Sequence, residues 1–309
     1  MIINNQKIEL GEIKIIQIPI SKLASGTDLY LSVHVFRSNK KGPCVLFAGG
    51  LHGDEINGVE IVRTAIEKKY FHKLSKGTVI AIPLINTIGF INYARETSGK
   101  DVNRSFPGSL AGSLASLIAY QLTNEILPHI DYGIDFHTGG ASIHNYPQLR
   151  ISLGDAKALK LAKQTRLPFV IEKKPISKSH RKEALSAGKS LLVFEGGESL
   201  RLDNESIKYG LQAIQNLLTS NNMKEGKKSS GGTEFFTSSR WQRSPVSGVF
   251  SPLKKAGESV QKNEVIGEVN ILAPMSKVLI KASLNGVLIG HRNNPVVVKG
   301  DALFHVAIK

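Results

Sequence analysis

Four short, mostly apolar runs punctuate the first 200 residues of this 309-residue sequence, and a cluster of polar residues follows each of them. The runs are Cys44–Ala48, Thr78–Leu84, Gly133–Phe136 and Leu191–Phe194. Mostly apolar runs of this length are typical of strands that are buried on both faces. Because they alternate with helical patterns, they predict an α/β fold with a mixed or parallel sheet flanked by helices.

Three segments show the helical patterns. Asn57–Tyr70 has apolar residues at helical spacing, Leu110–Leu127 is closed off by Pro128, and Glu205–Leu218 is the last helix expected. Asp54 stands just before the first of them. We expect its carboxylate to cap that helix rather than to bind a metal.

The composition changes after the last predicted helix. The stretch 221–232 is polar and rich in glycine, and from about Thr233 short strand-like runs alternate with turn signals. This order resembles the barrel-sandwich hybrid of biotinyl and lipoyl domains, but Leu272–Lys277 is not the lysine-bearing hairpin of a carrier. We therefore predict a larger domain over residues 1–230 and a small all-β, barrel-sandwich-like domain over 231–309, which serves as a scaffold or lid.

The bulk composition is that of a soluble globular protein, with 41% hydrophobic and 21% charged residues. No apolar run could span a bilayer and the N-terminus has no secretory pattern, so we expect a cytoplasmic protein without membrane partners.

Cys44 is the one cysteine, which excludes an intrachain disulfide and a thiolate metal cage. Because it opens an apolar run, we expect it to be a buried packing residue.

The formal net charge is +15, which attracts anionic partners. The basic residues are spread along the chain and form no recognisable nucleic-acid module. We therefore expect an anionic small-molecule substrate and no nucleic acid. A homo-oligomer is left open by the sequence.

Two of the polar clusters carry metal-binding residue types. His52 and Glu55 lie three residues apart in a tight turn between a strand and a helix, and His137 follows another buried strand. Ligands gather at the carboxyl ends of strands in open α/β sheets. Two histidines and one glutamate are an established catalytic zinc set, which leaves a position for water. Asp135 shares the face of His137 and either orients that histidine or makes a structural hydrogen bond.

Four motifs occur in one order between about residues 40 and 200: His52-Gly-Asp-Glu55, Arg95 followed by Asn103-Arg104, Asp135-Phe-His137-Thr-Gly, and Glu195 after a strand. In this order they resemble the succinylglutamate desuccinylase/aspartoacylase family, relatives of the zinc carboxypeptidases. The β-rich C-terminal segment resembles the C-terminal domain of that family.

The resemblance implies a role for each matching residue. His52, Glu55 and His137 would bind one zinc ion, and residues 1–230 would form the zinc hydrolase domain. Arg95 would polarise the scissile carbonyl, and Glu195 would be the general base.

Three further residues would bind the substrate: Asn103, Arg104 and Arg181. The first two would hold a substrate carboxylate, and Arg181 stands where many relatives have another substrate-binding arginine. The tyrosine that some relatives contribute from the C-terminal domain has no match, because no tyrosine follows Tyr209. That departure leaves the substrate undefined.

The expected activity is hydrolysis of an amide in a small carboxylate-bearing N-acyl amino acid. The alternatives are a zinc carboxypeptidase acting on short peptides and a non-catalytic binding protein.

Some assignments remain open. Glu198 could replace Glu195 as the base, although Glu195 directly follows the strand. The β-rich segment opens with Arg240, Trp241 and Arg243, which either face the active site or pack in the linker. His180 has no partner pattern, so we expect an ordinary surface or core histidine.

Overall fold

The computed structural model describes residues 1–309 and shows a mixed α/β fold with nineteen strands and six α-helices. In chain order, the strands are β1 (Ile2–Ile3), β2 (Gln6–Lys7), β3 (Ile13–Lys22), β4 (Asp28–Arg37), β5 (Cys44–Gly49), β6 (Thr78–Ile82), β7 (Tyr132–Gly139), β8 (Ile143–Ser152), β9 (Phe169–Lys173), β10 (Ser190–Glu198), β11 (Glu234–Phe236), β12 (Ser238–Arg243), β13 (Gly248–Pro252), β14 (Ser259–Val260), β15 (Val265–Leu272), β16 (Met275–Lys281), β17 (Gly286–Arg292), β18 (Val296–Val297) and β19 (Ala302–Ile308).

The helices lie between the strands of the first 220 residues. They are α1 (Ile56–Glu67), α2 (Thr87–Ile91), α3 (Leu114–Gln121), α4 (Ala156–Thr165), α5 (His180–Ser186) and α6 (Asn204–Ser220). A π-type turn and a 3-10 turn extend the third helix as far as His129. No helix is long and apolar enough to cross a membrane.

A sheet of thirteen strands forms the centre of the molecule, and its main path runs in the order β12-β19-β17-β8-β10-β7-β5-β6-β4-β3. The four central strands β6, β5, β7 and β10 are parallel to one another, and antiparallel strands flank them on both sides. This arrangement confirms the predicted mixed sheet. It also brings the carboxyl ends of β5, β7 and β10 to one edge of the sheet.

The central strands are buried on both faces, which explains why their sequences lack polar alternation. Every residue of β5 and β6 is buried. On one face, Leu46 packs in a cluster with Ile118 of α3, and on the other, Phe47 packs with Ile61 of α1 and Ile214 of α6. The main hydrophobic core therefore has two layers with the sheet between them. Cys44 is a buried free thiol of this core, as predicted.

Five of the six α-helices begin at a side-chain cap. The side chains of Asn86, Ser113, Asp155, Ser179 and Asp203 accept hydrogen bonds from backbone N–H groups of the first turns of α2, α3, α4, α5 and α6. The prediction that Asp54 caps α1 is wrong. The residue that precedes α1 is Glu55, and no side chain accepts a hydrogen bond there.

The C-terminal segment contains strands and no helix, and most of its predicted runs coincide with observed strands. It has its own small core, which includes Phe250, Ile266 and Phe304. However, β17 pairs with β8 of the large sheet, with Gly290 opposite Asn145. The C-terminal strands β17, β19 and β12 therefore continue the central sheet beyond β8.

Some strands are absent from the predicted elements. The hairpin β3–β4 and the strands β8 and β9 mix polar and apolar residues, so they show no continuous apolar run. β8 lies directly beside β10 in the sheet. As a result, it contributes residues to the site that the apolar pattern did not indicate.

Replacing Phe47 with alanine should strongly destabilise the protein. Its side chain is fully buried, and its ring stacks on Phe71 at a centroid distance of 5.5 Å. A cavity of this kind costs about 3–5 kcal/mol of unfolding free energy, which urea denaturation followed by circular dichroism would measure. Leu253→Ala, at a position that is 58% exposed, is the control and should change the value by about 0.5 kcal/mol or less. Equal effects of the two substitutions would contradict the packing described here.

Candidate active site

Three predicted metal ligands meet at the carboxyl edge of the central strands. His52 lies in the turn after β5, Glu55 immediately precedes α1, and His137 lies near the end of β7. Since β5 and β7 are parallel neighbours, their ends lie side by side. The glycine of the first motif permits this turn: a Cβ on Gly53 would lie 2.0 Å from the carbonyl carbon of Gly89.

The ligand atoms of these residues converge on one point. Nδ1 of His52 lies 2.7 Å from Oε1 of Glu55, and Nδ1 of His137 lies 2.8 Å from Oε2 of Glu55. The two Nδ1 atoms are 3.1 Å apart. All three side chains are buried, and together they form a cluster that could hold a metal ion.

The second ring nitrogen of each histidine, Nε2, lies close to a carboxylate. Nε2 of His52 lies 3.3 Å from Oδ1 of Asp101, and Nε2 of His137 lies 3.2 Å from Oδ2 of Asp135. Histidines that bind a metal through one ring nitrogen usually place the other nitrogen against a carboxylate or carbonyl. Both rings are therefore oriented with Nδ1 toward the cluster. Of the two roles left open for Asp135, the geometry favours orientation of His137.

The electrostatics of the metal-free cluster reflect this crowding of opposite charges. Burial opposes protonation of His52, but Glu55 and Asp101 outweigh it and raise its pKa. Burial likewise opposes protonation of His137, and Asp135 and Glu55 raise its pKa well above the usual value. The pKa of Glu55 is lowered well below its usual value, because the histidines outweigh the cost of burying the carboxylate. A divalent cation would replace these protons, so the donor set fits zinc.

Glu195 lies in β10, between β7 and β8, in register with His137 on β7 and with Gln148 on β8. Both of its carboxylate oxygens have partners on β8. Oε1 lies 2.9 Å from a terminal nitrogen of Arg150, and Oε2 accepts a hydrogen bond of 2.9 Å from Nδ2 of Asn145. Its carboxylate is thus held in one orientation.

Arg95 contacts the carboxylate of Glu55 in the cluster and that of Asp101, which lies next to His52. Its Nη1 donates to Oε1 of Glu55 at 3.0 Å, and its Nε donates to Oδ2 of Asp101 at 3.2 Å. Asp101 also caps the short 3-10 helix that contains Asn103 and Arg104. Asp101 therefore ties the position of both arginines to His52.

Arg181 is a buried guanidinium on α5. Its side chain is 8% exposed, and Nη1 has no hydrogen-bond partner. Burial, with a contribution from nearby Arg150, lowers its pKa to about 10, which still leaves it charged at neutral pH. A buried charge without a counter-ion is costly. This atom is therefore suited to an anionic ligand.

All eight predicted site residues line one cavity of about 240 Å³. They are His52, Glu55, Arg95, Asn103, Arg104, His137, Arg181 and Glu195. The cavity is smaller than the ~300–1,000 Å³ of typical drug-sized sites, so it fits a small molecule.

The family model of the succinylglutamate desuccinylase/aspartoacylase catalytic domain matches residues 41–220, which contain all of these side chains. The chain belongs to this family. The resemblance predicted from the four motifs is therefore confirmed. The match ends where α6 ends, and the strands that follow lie outside it.

Individual relatives cover nearly the whole chain. The N-alpha-acetyl-L-2,4-diaminobutyric acid deacetylase of Halomonas elongata is 27% identical, over 94% of this chain and 90% of that protein. The crystal structure of a succinylglutamate desuccinylase/aspartoacylase from Rhodobacter sphaeroides has a TM-score of 0.85 and 25% identity, over 96% of this chain and 94% of that one.

A second solved structure shares the fold. The product-bound ectoine utilization protein EutE (DoeB) of Ruegeria pomeroyi has a TM-score of 0.86 at 22% identity, with 98% of this chain and 97% of that chain covered. The matching family and the relative from Halomonas elongata are thus named for deacylases, and the solved structures share the architecture of this protein.

Glu198, the alternative base, lies outside this cavity. The strand β10 bulges between Glu195 and Glu198, and Gly197 has a φ of +77°, which favours glycine. Oε2 of Glu198 accepts a hydrogen bond of 2.5 Å from Nδ2 of Asn293. The geometry therefore favours Glu195 as the residue that acts on a ligand in the cavity.

Several contributors to the site were not predicted as such. Asn145 and Arg150 come from β8, and the signal for that strand was the alternation of Gln148, Arg150 and Ser152 with apolar residues. His180 is fully buried, and its Nδ1 lies 3.0 Å from Oδ2 of Asp135. No local pattern indicates that contact, because 45 residues separate the pair.

Zinc binding should release protons at pH 7. The pKa values of His52 and His137 are raised in the metal-free protein, and histidines bind metal only when they are neutral. Calorimetric titration with zinc in buffers of different ionisation enthalpy should give about one to two protons released per zinc. The apparent affinity should fall as pH decreases.

Asp101→Asn is the matched variant for this experiment. It removes a charge behind His52, so fewer protons should be released and zinc affinity should fall by about 10- to 100-fold. Proton release of zero in the parent protein, with zinc affinity independent of pH, would show that these histidines are not the ligands.

Proposed function

We propose that the protein is a zinc-dependent amidohydrolase that removes the acyl group from a small, carboxylate-bearing N-acyl amino acid or a related compound. The observation that carries this proposal is that Glu195 and the cluster of His52, Glu55 and His137 line one small cavity. A carboxylate that is not itself in the metal cluster is what a general base requires. The deacetylase of Halomonas elongata supports the same class of reaction.

His52, Glu55 and His137 would hold the zinc ion. When bound there, zinc would supply Lewis acidity toward the substrate carbonyl and would make a water acidic near neutral pH. Asp101 and Asp135 lie against the two Nε2 atoms, which leaves both Nδ1 atoms facing Glu55, where the ion would be held.

Glu195 moves the proton. An oxygen of its carboxylate accepts a proton from the attacking water and then donates it to the leaving nitrogen, so that the amine departs neutral. Arg150 and Asn145 hold the two oxygens in place before and after this transfer. Such positioning lowers the entropic cost of reaching the transition state.

Arg95 stabilises the charge that develops on the carbonyl oxygen. Its guanidinium lies against Glu55 and is therefore beside the metal ligands. A preorganised cation at this position favours the transition state over the ground state.

The substrate carboxylate binds to the guanidinium groups of Arg104 and Arg181 and to the amide group of Asn103, which also line the cavity. Arg104 and Arg181 have no carboxylate partner in the protein, and Nη1 of Arg181 has no partner at all. A guanidinium matches a carboxylate with two parallel hydrogen bonds. Asn103 stands beside Arg104, and its Oδ1 accepts from the backbone N–H of His180, which fixes its side chain.

A screen of N-acetyl, N-formyl and N-succinyl amino acids with the zinc-loaded protein tests this function. N-alpha-acetyl-L-2,4-diaminobutyric acid belongs in the panel, because the relative from Halomonas elongata is named for it. Amine release from at least one compound is expected. If only short peptides were cleaved, the protein would be a carboxypeptidase. Binding without release of any amine would identify a non-catalytic binding protein.

Glu195→Gln should reduce turnover by at least ~100-fold, which is the usual scale for a general base, and should leave zinc content unchanged. Metal analysis and steady-state kinetics would measure both quantities. Glu198→Gln is the matched control and should affect turnover far less. A larger loss in the control than in Glu195→Gln would assign the base to Glu198.

Arg181→Lys should raise KM more than it lowers kcat. The substitution keeps the charge but loses the planar fork, and a hydrogen bond to a charged group is worth about 1.5–3 kcal/mol, or about 10- to 150-fold. Arg201→Lys, at a side chain that is 77% exposed, is the matched control. Unchanged kinetics in both variants would remove Arg181 from the substrate site.

A further inference from the structure

One aromatic side chain from the C-terminal strands lines the catalytic cavity. Trp241 lies on β12, whereas every other lining residue comes from the first 200 residues of the chain. Its side chain is 39% exposed although it is large and apolar. Exposed indole inside a concave polar site is typical of ligand contact.

One face of the Trp241 indole packs against another aromatic ring of the protein. The antiparallel pair β12–β19 places it opposite His305, and the two rings stack at a centroid distance of 4.2 Å with an interplanar angle of 12°. His305 is itself buried, and its Nε2 lies 2.7 Å from Oγ of Ser239. The indole therefore has one face covered by protein.

The supporting ring is uncharged at neutral pH. Burial, together with the nearby positive charges of Arg150 and Lys173, lowers the pKa of His305 to about 3. The stack is thus a neutral aromatic pair at neutral pH.

The apolar part of the cavity lining is small. Besides Trp241 it consists of Ile143, Ile176 and Val193, and the remaining lining residues are polar, charged or glycine. The guanidinium groups of the lining can bind the charged groups of a ligand. The indole is the largest surface available to an uncharged part.

We propose that Trp241 is a specificity-determining residue that contacts the uncharged acyl group of the substrate and limits its length. This inference rests on the proposed deacylase function. It implies that the site prefers a short, uncharged acyl group such as acetyl over butyryl, and over succinyl, whose second carboxylate would meet an apolar wall.

Trp241 is the one tryptophan in the chain, so its fluorescence reports on this site alone. The zinc-loaded Glu195→Gln protein should be titrated with the N-acetyl, N-butyryl and N-succinyl derivatives of L-2,4-diaminobutyric acid and of L-glutamate. Saturable change in indole emission is expected, strongest at low concentration for an N-acetyl compound. If calorimetry detects binding and the emission stays constant for every compound, Trp241 does not contact the ligand and the proposal is overturned.

Kinetics on the same acyl series provides the second readout. Trp241→Ala should lower kcat/KM for the N-acetyl compound relative to the N-butyryl compound by about 10-fold, the scale of a contact with one or two methylene groups. Trp241→Phe should retain most of the preference. Leu253→Ala, at an exposed position just after β13, is the control and should leave the series unchanged. An equal loss for every acyl group in Trp241→Ala would overturn the proposal.

The two readouts separate this proposal from the proposed function. If the parent protein hydrolyses none of the compounds but indole emission still responds to the N-acetyl ligands, the hydrolase assignment fails and the contact with Trp241 stands. If hydrolysis occurs and acyl preference does not depend on Trp241, the function stands and the assignment of specificity fails. Urea denaturation of Trp241→Ala would verify that the variant is folded.

Discussion

The rest of the site depends on the contacts that the buried carboxylate of Glu55 makes with the groups around it. Burying an ionised carboxylate is costly unless charged and polar donors surround it. Here His52, His137, Arg95 and the backbone N–H of Thr138 all contact it, at 2.7–3.0 Å. These partners come from three separate segments, so Glu55 fixes the turn after β5, the end of β7 and the loop after α2 relative to one another.

The central sheet extends this arrangement outward. Because β10 lies between β7 and β8, the carboxylate of Glu195 reaches the same cavity as the metal cluster while Arg150 and Asn145 hold it from the other side. The pairing of β17 with β8 continues the sheet into the C-terminal strands, and β12 carries Trp241 to the cavity. One continuous sheet therefore positions the His52, Glu55 and His137 cluster, Glu195 and Trp241 around the same cavity.

The charge of the site agrees with the charge of the chain. A net charge of +15 raises the local concentration of anions, and the cavity is lined by the guanidiniums of Arg104 and Arg181, which form no salt bridge in the protein. By contrast, Arg95 and Arg150 are paired with Glu55 and Glu195. Two of the four arginines that line the cavity are thus paired with carboxylates, and the other two form no salt bridge in the protein.

The sequence by itself determined which strands are buried on both faces, because their mostly apolar runs are stable only away from water. It also determined the motif residues that lie at the ends of these strands. The tertiary structure decided the rest. Asp54 precedes a helix but does not cap it, because Glu55 occupies the residue before α1. Arg150, His180 and Trp241 join the site through strand pairing and packing between residues far apart in the chain, and local patterns carry no record of such contacts.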